Sequence, residues 1–187
     1  LTFNAAKIYG PNGVGALYVK RGINLEPLLY GGGQEGGYRS GSENVTGIVG
    51  LAAALEICAR GRGRESERLS SWRDYFITQA LKLPGVELNG SQASRLPNNV
   101  NLFISSVEAE QLVIELDARG IACSTGSACS LPTHDESYVI MALGFDEARA
   151  RSSVRFTFGR EITKSDLNQV LKSLADSITK LRNPFNN

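Results

Sequence analysis

Val100, Leu102 and Ile104 occupy alternate positions, and Val154, Phe156 and Phe158 repeat the same period of two. Such alternation turns every second side chain to one face of a half-buried strand. The flanking segments follow a helical period instead. Leu167, Val170, Leu171, Leu174, Ile178 and Leu181 recur behind Thr163 and Asp166, a spacing that predicts a capped final helix. Ala109, Leu112, Val113 and Leu116 predict another, with Ser105 and Glu108 as its capping box and Gly120 at its end. Ile121-Ala122-Cys123 reads as a short strand, and residues 135–143 as a short helix closed by Gly144.

The first third has a different texture. Thr2-Phe3 reads as the tail of a strand, and the apolar run of residues 14–19 as a buried one after a Gly-Pro-Asn-Gly turn. Residues 22–43 form a glycine-rich loop. A helix is expected to start near Ser42 to Val45, with Val45, Ile48, Val49, Ala52 and Leu55 facing inward. Gly61 and Gly63 are expected to interrupt it before a second helix carrying Leu69, Trp72, Phe76, Ala80 and Leu83. The interruption suggests two domains, residues 1–63 and 64–187, the second an α+β unit.

Composition narrows the field. The 187 residues carry 20 basic and 19 acidic side chains, a net charge of +1, so neither nucleic acid nor an anionic membrane is an expected partner. No apolar run approaches the roughly 20 residues of a membrane span, and no signal-peptide pattern opens the chain. Cys58, Cys123 and Cys129 are an odd set without CxxC spacing, which argues for a reducing, cytoplasmic setting rather than a disulfide framework or a zinc site. The chain opens on Leu1, and its one Met is Met141, so we expect the C-terminal part of a longer protein.

Four segments are candidates for chemistry. Cys129 lies in Ser124-Thr125-Gly126-Ser127-Ala128-Cys129-Ser130, where small neighbours permit a loop that extends a thiol toward a reacting atom. Lys7, before a Gly-Pro turn, would place an amine at a pocket mouth. Arg155 sits between Val154 and Phe156 and so points away from the core face, where its planar fork matches a carboxylate. The loop from Gly31 to Ser42 precedes a helix and suits an anion, although no Gly-Lys-Ser/Thr ends it as a nucleotide P-loop would. Each has a plain alternative: an idle turn cysteine, a solvated lysine, a solvent-facing strand arginine, a surface loop. His134, the single histidine, reads as solvated rather than as a base for Cys129.

Together these segments resemble the cysteine desulfurases of the NifS/IscS type, enzymes of the class V aminotransferase fold that use pyridoxal phosphate (PLP). Lys7-Ile8-Tyr9-Gly10-Pro11-Asn12-Gly13-Val14-Gly15 is similar to the family's lysine segment. Gly31-Gly32-Gly33-Gln34-Glu35 with Arg39-Ser40-Gly41-Ser42-Glu43-Asn44 is similar to its glycine-rich loop. Ser127-Ala128-Cys129 and Ser152-Ser153-Val154-Arg155-Phe156 resemble its nucleophile loop and substrate-anchor strand.

The resemblance implies an α/β fold, with residues 1–63 as the C-terminal portion of the PLP-binding large domain and residues 64–187 as the small domain. It implies a homodimer that removes sulfur from L-cysteine, giving alanine and a persulfide for iron–sulfur scaffold or tRNA-thiolation proteins. Lys7 would form the Schiff base with PLP, Arg155 would hold the substrate carboxylate, and Cys129 would take the sulfur. Ser42 would reach the cofactor phosphate of the partner subunit. The family usually places Ser-x-His before its lysine. Here Asn4-Ala5-Ala6 stands there, so Asn4 keeps a hydrogen-bond donor and Ala6 has none. Weaker PLP retention, a rewired phosphate cup and engineering are the readings this departure leaves open. This stretch alone is expected to bind PLP poorly and to be inactive, because the upstream half of the family's cofactor pocket lies outside it. A selenocysteine lyase, another lyase of the same fold, and a catalytically silent dimerising fragment are the alternatives.

Overall fold

A computed structural model describes residues 1–126 and 137–183 of the chain. It divides into two compact units, Leu1–Gly63 and Arg64–Asn187.

In the first unit, strands β1 (Thr2–Asn4) and β2 (Gly15–Leu17) pair antiparallel, with Phe3 opposite Ala16. Between them the chain makes a 3-10 turn, Ala5–Ile8. The run of residues 14–19 is not the buried strand its apolar character suggested: only Gly15–Leu17 is extended, and Leu17 and Tyr18 are exposed. Helix α1 (Val45–Ala80) then begins, with the Asn44 side chain accepting from the Gly47 N–H at 3.0 Å as its cap. Its opening stretch lies against the Pro-Asn-Gly turn through glycines. A Cβ on Gly50 would come within 2.7 Å of Pro11, and one on Gly47 within 3.1 Å of Val14. The inward face is consequently shifted from expectation: Leu51 and Ala54 are buried, while Val45, Ile48, Val49 and Leu55 are exposed.

α1 also runs unbroken through Gly61 and Gly63, contrary to the expected interruption. Glycine lowers helix propensity by about 1 kcal/mol but, unlike proline, keeps its N–H and creates no clash. The flanking pairs Glu56–Arg60 and Glu65–Arg68, spaced one helical turn apart, support the same stretch.

The second unit is a three-stranded antiparallel sheet in the order β3 (Val86–Leu88), β4 (Asn99–Ile104), β5 (Ser153–Thr157). The alternation read from the sequence holds: Val100, Leu102, Ile104, Val154 and Phe156 are buried on one face. Phe76 from α1 seals that face, its ring centroid 5.3 Å from Phe156 and 5.4 Å from Phe158. Helices α2 (Ala109–Asp117) and α5 (Lys164–Arg182) complete the core with Leu112, Leu116, Leu167, Leu174 and Ile178. α5 has the expected capping box, in which Thr163 Oγ1 accepts from the Asp166 N–H and Asp166 accepts from the Thr163 N–H. Donation from the Thr163 hydroxyl and N–H holds the Asp166 carboxyl below its ordinary range. The contribution of the cap is therefore full above that range and is lost as pH falls below it, through the depressed value.

Two local expectations fail. The box at Ser105–Glu108 does not form: Glu108 caps α2 without a side-chain hydrogen bond, and Ser106 takes a left-handed φ of 60° that spends those residues on a turn. Ile121–Cys123 is not a strand; only Ser124 pairs, as an isolated bridge to Arg155. The helix expected over residues 135–143 is described as α3 (Tyr138–Ala142), with residues 135 and 136 outside the described set, and α4 (Glu147–Arg151) follows it unforeseen.

Beyond the helix's own backbone, nothing among the described residues lies within 4 Å of a Cβ placed at Gly61 or Gly63. Alanine at either should stabilise the intact protein by about 0.5–1 kcal/mol, read as a higher denaturation midpoint with unchanged slope. A lower midpoint would show that the helix needs its glycines.

Candidate active site

Lys7 sits on the 3-10 turn that joins β1 to β2. Asn4 caps that turn: its Oδ1 accepts from the Lys7 N–H at 3.2 Å. The sequence thus brings Asn4 and Lys7 together through the backbone, with the Asn4 carbonyl oxygen committed and its amide donors left over. Ala5 is fully buried beneath the turn, and the Gly10 N–H donates to its carbonyl at 2.8 Å. Cys58 on α1 adds a tether, its thiol donating to the Ile8 carbonyl at 3.6 Å. Among the described residues the Lys7 side chain has no hydrogen bond or ion pair, and it is exposed. Ser42 stands two residues before the Asn44 cap of α1, exposed, where helix N–H groups favour anions.

This donor set fits PLP. An unpaired primary amine suits its aldehyde, and a hydroxyl ahead of a helix N-terminus suits its phosphate. Ala6 contributes no donor, as expected from its side chain.

Arg155 lies in the other unit, half-buried on the face of the sheet opposite the core. Its guanidinium makes no ion pair or hydrogen bond among the described residues, so the fork is open to a ligand anion. Its backbone is gripped on both edges. On one side it pairs with Asn101 of β4. On the other its N–H donates to the Ser124 carbonyl at 2.7 Å, and the Ser124 N–H returns a bond at 3.1 Å. Ser124 Oγ in turn bonds the Gly126 backbone, so the segment leading toward Cys129 is rooted on the strand of Arg155. Cys129 itself, and His134, lie outside the described residues.

Cys123 is described. Burial, reinforced by the nearby Asp117 carboxylate, pushes its thiol up to about 11. At neutral pH it is an unreactive thiol, not a nucleophile.

One polar cluster behind Arg155 was not foreseen. Asn89, at the end of β3, is buried and bonds to Asn101, Ser153 and Arg149. The alternation of β4 does carry a signal for it, because Asn101 occupies the polar phase of a strand whose other phase is entirely core.

The class-V aminotransferase family matches residues 1–170. The chain belongs to that family. Among its relatives is a protein of Dictyoglomus turgidum named cysteine desulfurase IscS, 45% identical over 97% of this chain and 46% of that protein. Another is cysteine desulfurase IscS 1 of Archaeoglobus fulgidus, 47% identical over 97% of this chain and 48% of that protein. A solved NifS-like protein superposes with a TM-score of 0.84 at 29% identity, covering 95% of this chain and 46% of its own. This class-V chain thus spans about half the length of the curated relatives it matches.

In the native protein Cys123 should resist iodoacetamide near pH 8 and label fully once denatured, followed by peptide mass spectrometry. Rapid native labelling would contradict the burial that raises its pKa.

Proposed function

We propose that the protein is a PLP-dependent cysteine desulfurase. The observation that carries this reading is the pairing of Arg155 with Ser124. It roots a guanidinium without a side-chain partner among the described residues, and the segment that leads toward Cys129, on one strand. An enzyme that must hold an amino acid by its carboxylate and present a thiol to its side chain needs those two groups in register. The names of the relatives support the same chemistry.

In this reading Leu1–Gly63 is part of the PLP-binding large domain, and Arg64–Asn187 is the small domain. Lys7, Asn4 and Ser42 hold the cofactor, Ser42 from the neighbouring subunit. Bound PLP supplies an aldehyde for amines and a ring that accepts electrons. The Lys7 amine shuttles the proton at the substrate α-carbon. The Arg155 fork fixes the α-carboxylate, so the thiol-bearing carbon has one orientation. The Cys129 thiolate attacks the substrate sulfur. The sulfur–sulfur bond forms as the carbon–sulfur bond breaks, the electron pair and a proton pass to the carbon side, and alanine leaves. The persulfide on Cys129 then serves an acceptor protein, an iron–sulfur scaffold or a tRNA-thiolation protein.

We read the working form as a homodimer in the cytoplasm. In Leu1–Gly63 few side chains are buried, and Leu28 and Tyr30 are 93% and 78% exposed. An apolar surface of this kind suits cover by a second subunit. Among the described residues no helix is long and apolar enough to cross a membrane.

Variants at three positions of the intact holoenzyme test the assignment. Cys129→Ser should lose sulfide release from cysteine yet retain PLP, and undiminished turnover would overturn the nucleophile. Borohydride reduction should leave the pyridoxyl label on the peptide containing Lys7. The label should vanish in Lys7→Ala, and a label on the Lys20 peptide would refute the assignment. Arg155→Ala should lower kcat/KM for cysteine roughly ten- to several-hundred-fold, the value of a charge-assisted pair. Arg155→Lys should recover only part of it.

A further inference from the structure

The polar cluster behind Arg155 has a direction, and Arg149 sets it. A guanidinium only donates. Arg149 Nε lies 2.7 Å from one branch of the Asn89 amide, so that branch is Oδ1, the acceptor. The other branch is then Nδ2, a donor, and it lies 2.8 Å from Ser153 Oγ and 2.7 Å from the Asn101 side chain. Ser153 Oγ receives that bond and passes its own proton to the Arg149 carbonyl at 2.7 Å. Asn101 must meet a donor with an acceptor, so its Oδ1 faces Asn89 and its NH2 group is turned away. The amide orientation, normally ambiguous between two flips, is thereby fixed at both asparagines.

Arg149 is itself immobilised. Its Nη1 pairs with Glu87 at 2.7 Å, and its guanidinium lies 4.6 Å from the Phe103 ring and 4.0 Å from the Phe145 ring. The head of the relay is a rigid group held by a carboxylate and two rings.

The tail of the relay meets Arg155. Backbone hydrogen bonds join Ile104 to Ser152 and Phe158 to Asn98, so the hydrogen-bonded pairs fall at even positions at both ends of the β4–β5 ladder. Asn101 and Arg155 are therefore a non-hydrogen-bonded pair, the kind in which opposed side chains stand closest, with Cβ atoms about 4.5–5.5 Å apart on one face. The two donors of the Asn101 NH2 group have no partner among the described residues, and neither has the Arg155 fork.

Resting on the reading of Arg155 as the carboxylate anchor, we propose that Asn101 is a second donor to the same α-carboxylate of the amino-acid substrate. Asn89 and Arg149 act as positioning residues that aim its amide. A carboxylate has about four lone-pair sites and a guanidinium fork satisfies two. A neutral amide beside the fork supplies a further donor without repelling it. Ordering that donor in advance removes the entropy cost of fixing it on binding.

The test is an absorbance titration of intact holoenzyme with L-alanine and with ethylamine, the amine without the carboxylate. Asn101→Ala should weaken alanine about tenfold, the worth of one hydrogen bond to a charged group, and leave ethylamine unchanged. Asn101→Asp keeps the acceptor that Asn89 requires, so it preserves the relay while replacing the donors with a negative charge. It should weaken alanine further, again without effect on ethylamine. Arg155→Ala should show the same selectivity. If Arg155→Ala weakens alanine and both Asn101 variants stay within about twofold of the native affinity, Asn101 is not a carboxylate ligand and Arg155 stands. Equal weakening of alanine and ethylamine in the Asn101 variants would make Asn101 a structural residue and overturn the proposal. If Arg155→Ala leaves alanine unaffected, the anchor reading falls, and the proposal with it.

Discussion

The register of β4 on β5 governs the second unit. With Leu102 opposite Val154 and Asn101 opposite Arg155, even positions of both strands enter the core and odd positions face away. A slip of one residue would set Leu102 opposite Arg155 on one face, so that either Arg155 enters the apolar layer under Phe76 or Leu102 turns to water. Burying an unpaired guanidinium costs several kcal/mol, and exposing the matched apolar side chains forfeits about 1.5–3 kcal/mol apiece. The packing of Phe76 on Phe156 and Phe158 therefore aims Arg155, although none of the three aromatic rings shares its face.

On the proposed reading, the two units carry their candidate groups by different means. Arg155 stands on a sheet strand bonded along both edges, with a dense core beneath it. Lys7 stands on a single turn fixed by an asparagine cap, a thiol–carbonyl contact and the close approach of glycines on α1 to the following loop. A rigid strand suits recognition, which needs a fixed fork. A short turn suits an amine that must bind a group and also handle a proton, since a long side chain on a small support can reach more than one position.

Sequence pattern exposed the second unit well and the first poorly, for a physical reason. Where elements bury one face, periodicity is enforced: Val100, Leu102 and Ile104, or Leu167, Leu174 and Ile178, cannot be polar without cost. In Leu1–Gly63 little is buried, so Val45, Ile48 and Val49 mimic an inward face that the unit does not have. The glycines misled in a related way. Gly61 and Gly63 resemble a break because propensity is read locally, whereas the helix is kept by contacts on either side. The candidates Lys7, Ser42 and Arg155 stood out as motifs, but the backbone partners of Arg155 did not. Asn89 falls at the end of a strand too short to show a period, and Ser124 pairs alone. Bonds between segments far apart in the chain leave no mark in local spacing.

α1 crosses from one regime to the other within a single element. Its later turns carry Leu69, Phe76, Ile77 and Ala80 into the core, while its earlier turns bury only Gly47, Leu51 and Ala54. The same backbone hydrogen bonds, repeated along its 36 residues, thus have unequal backing. Amide protons near Phe76 should exchange with solvent only when the sheet core opens, and those before Gly61 through cheaper local fraying. Protection along this one helix should therefore descend as a gradient toward Val45, with the two bare glycines marking where the slope is steepest.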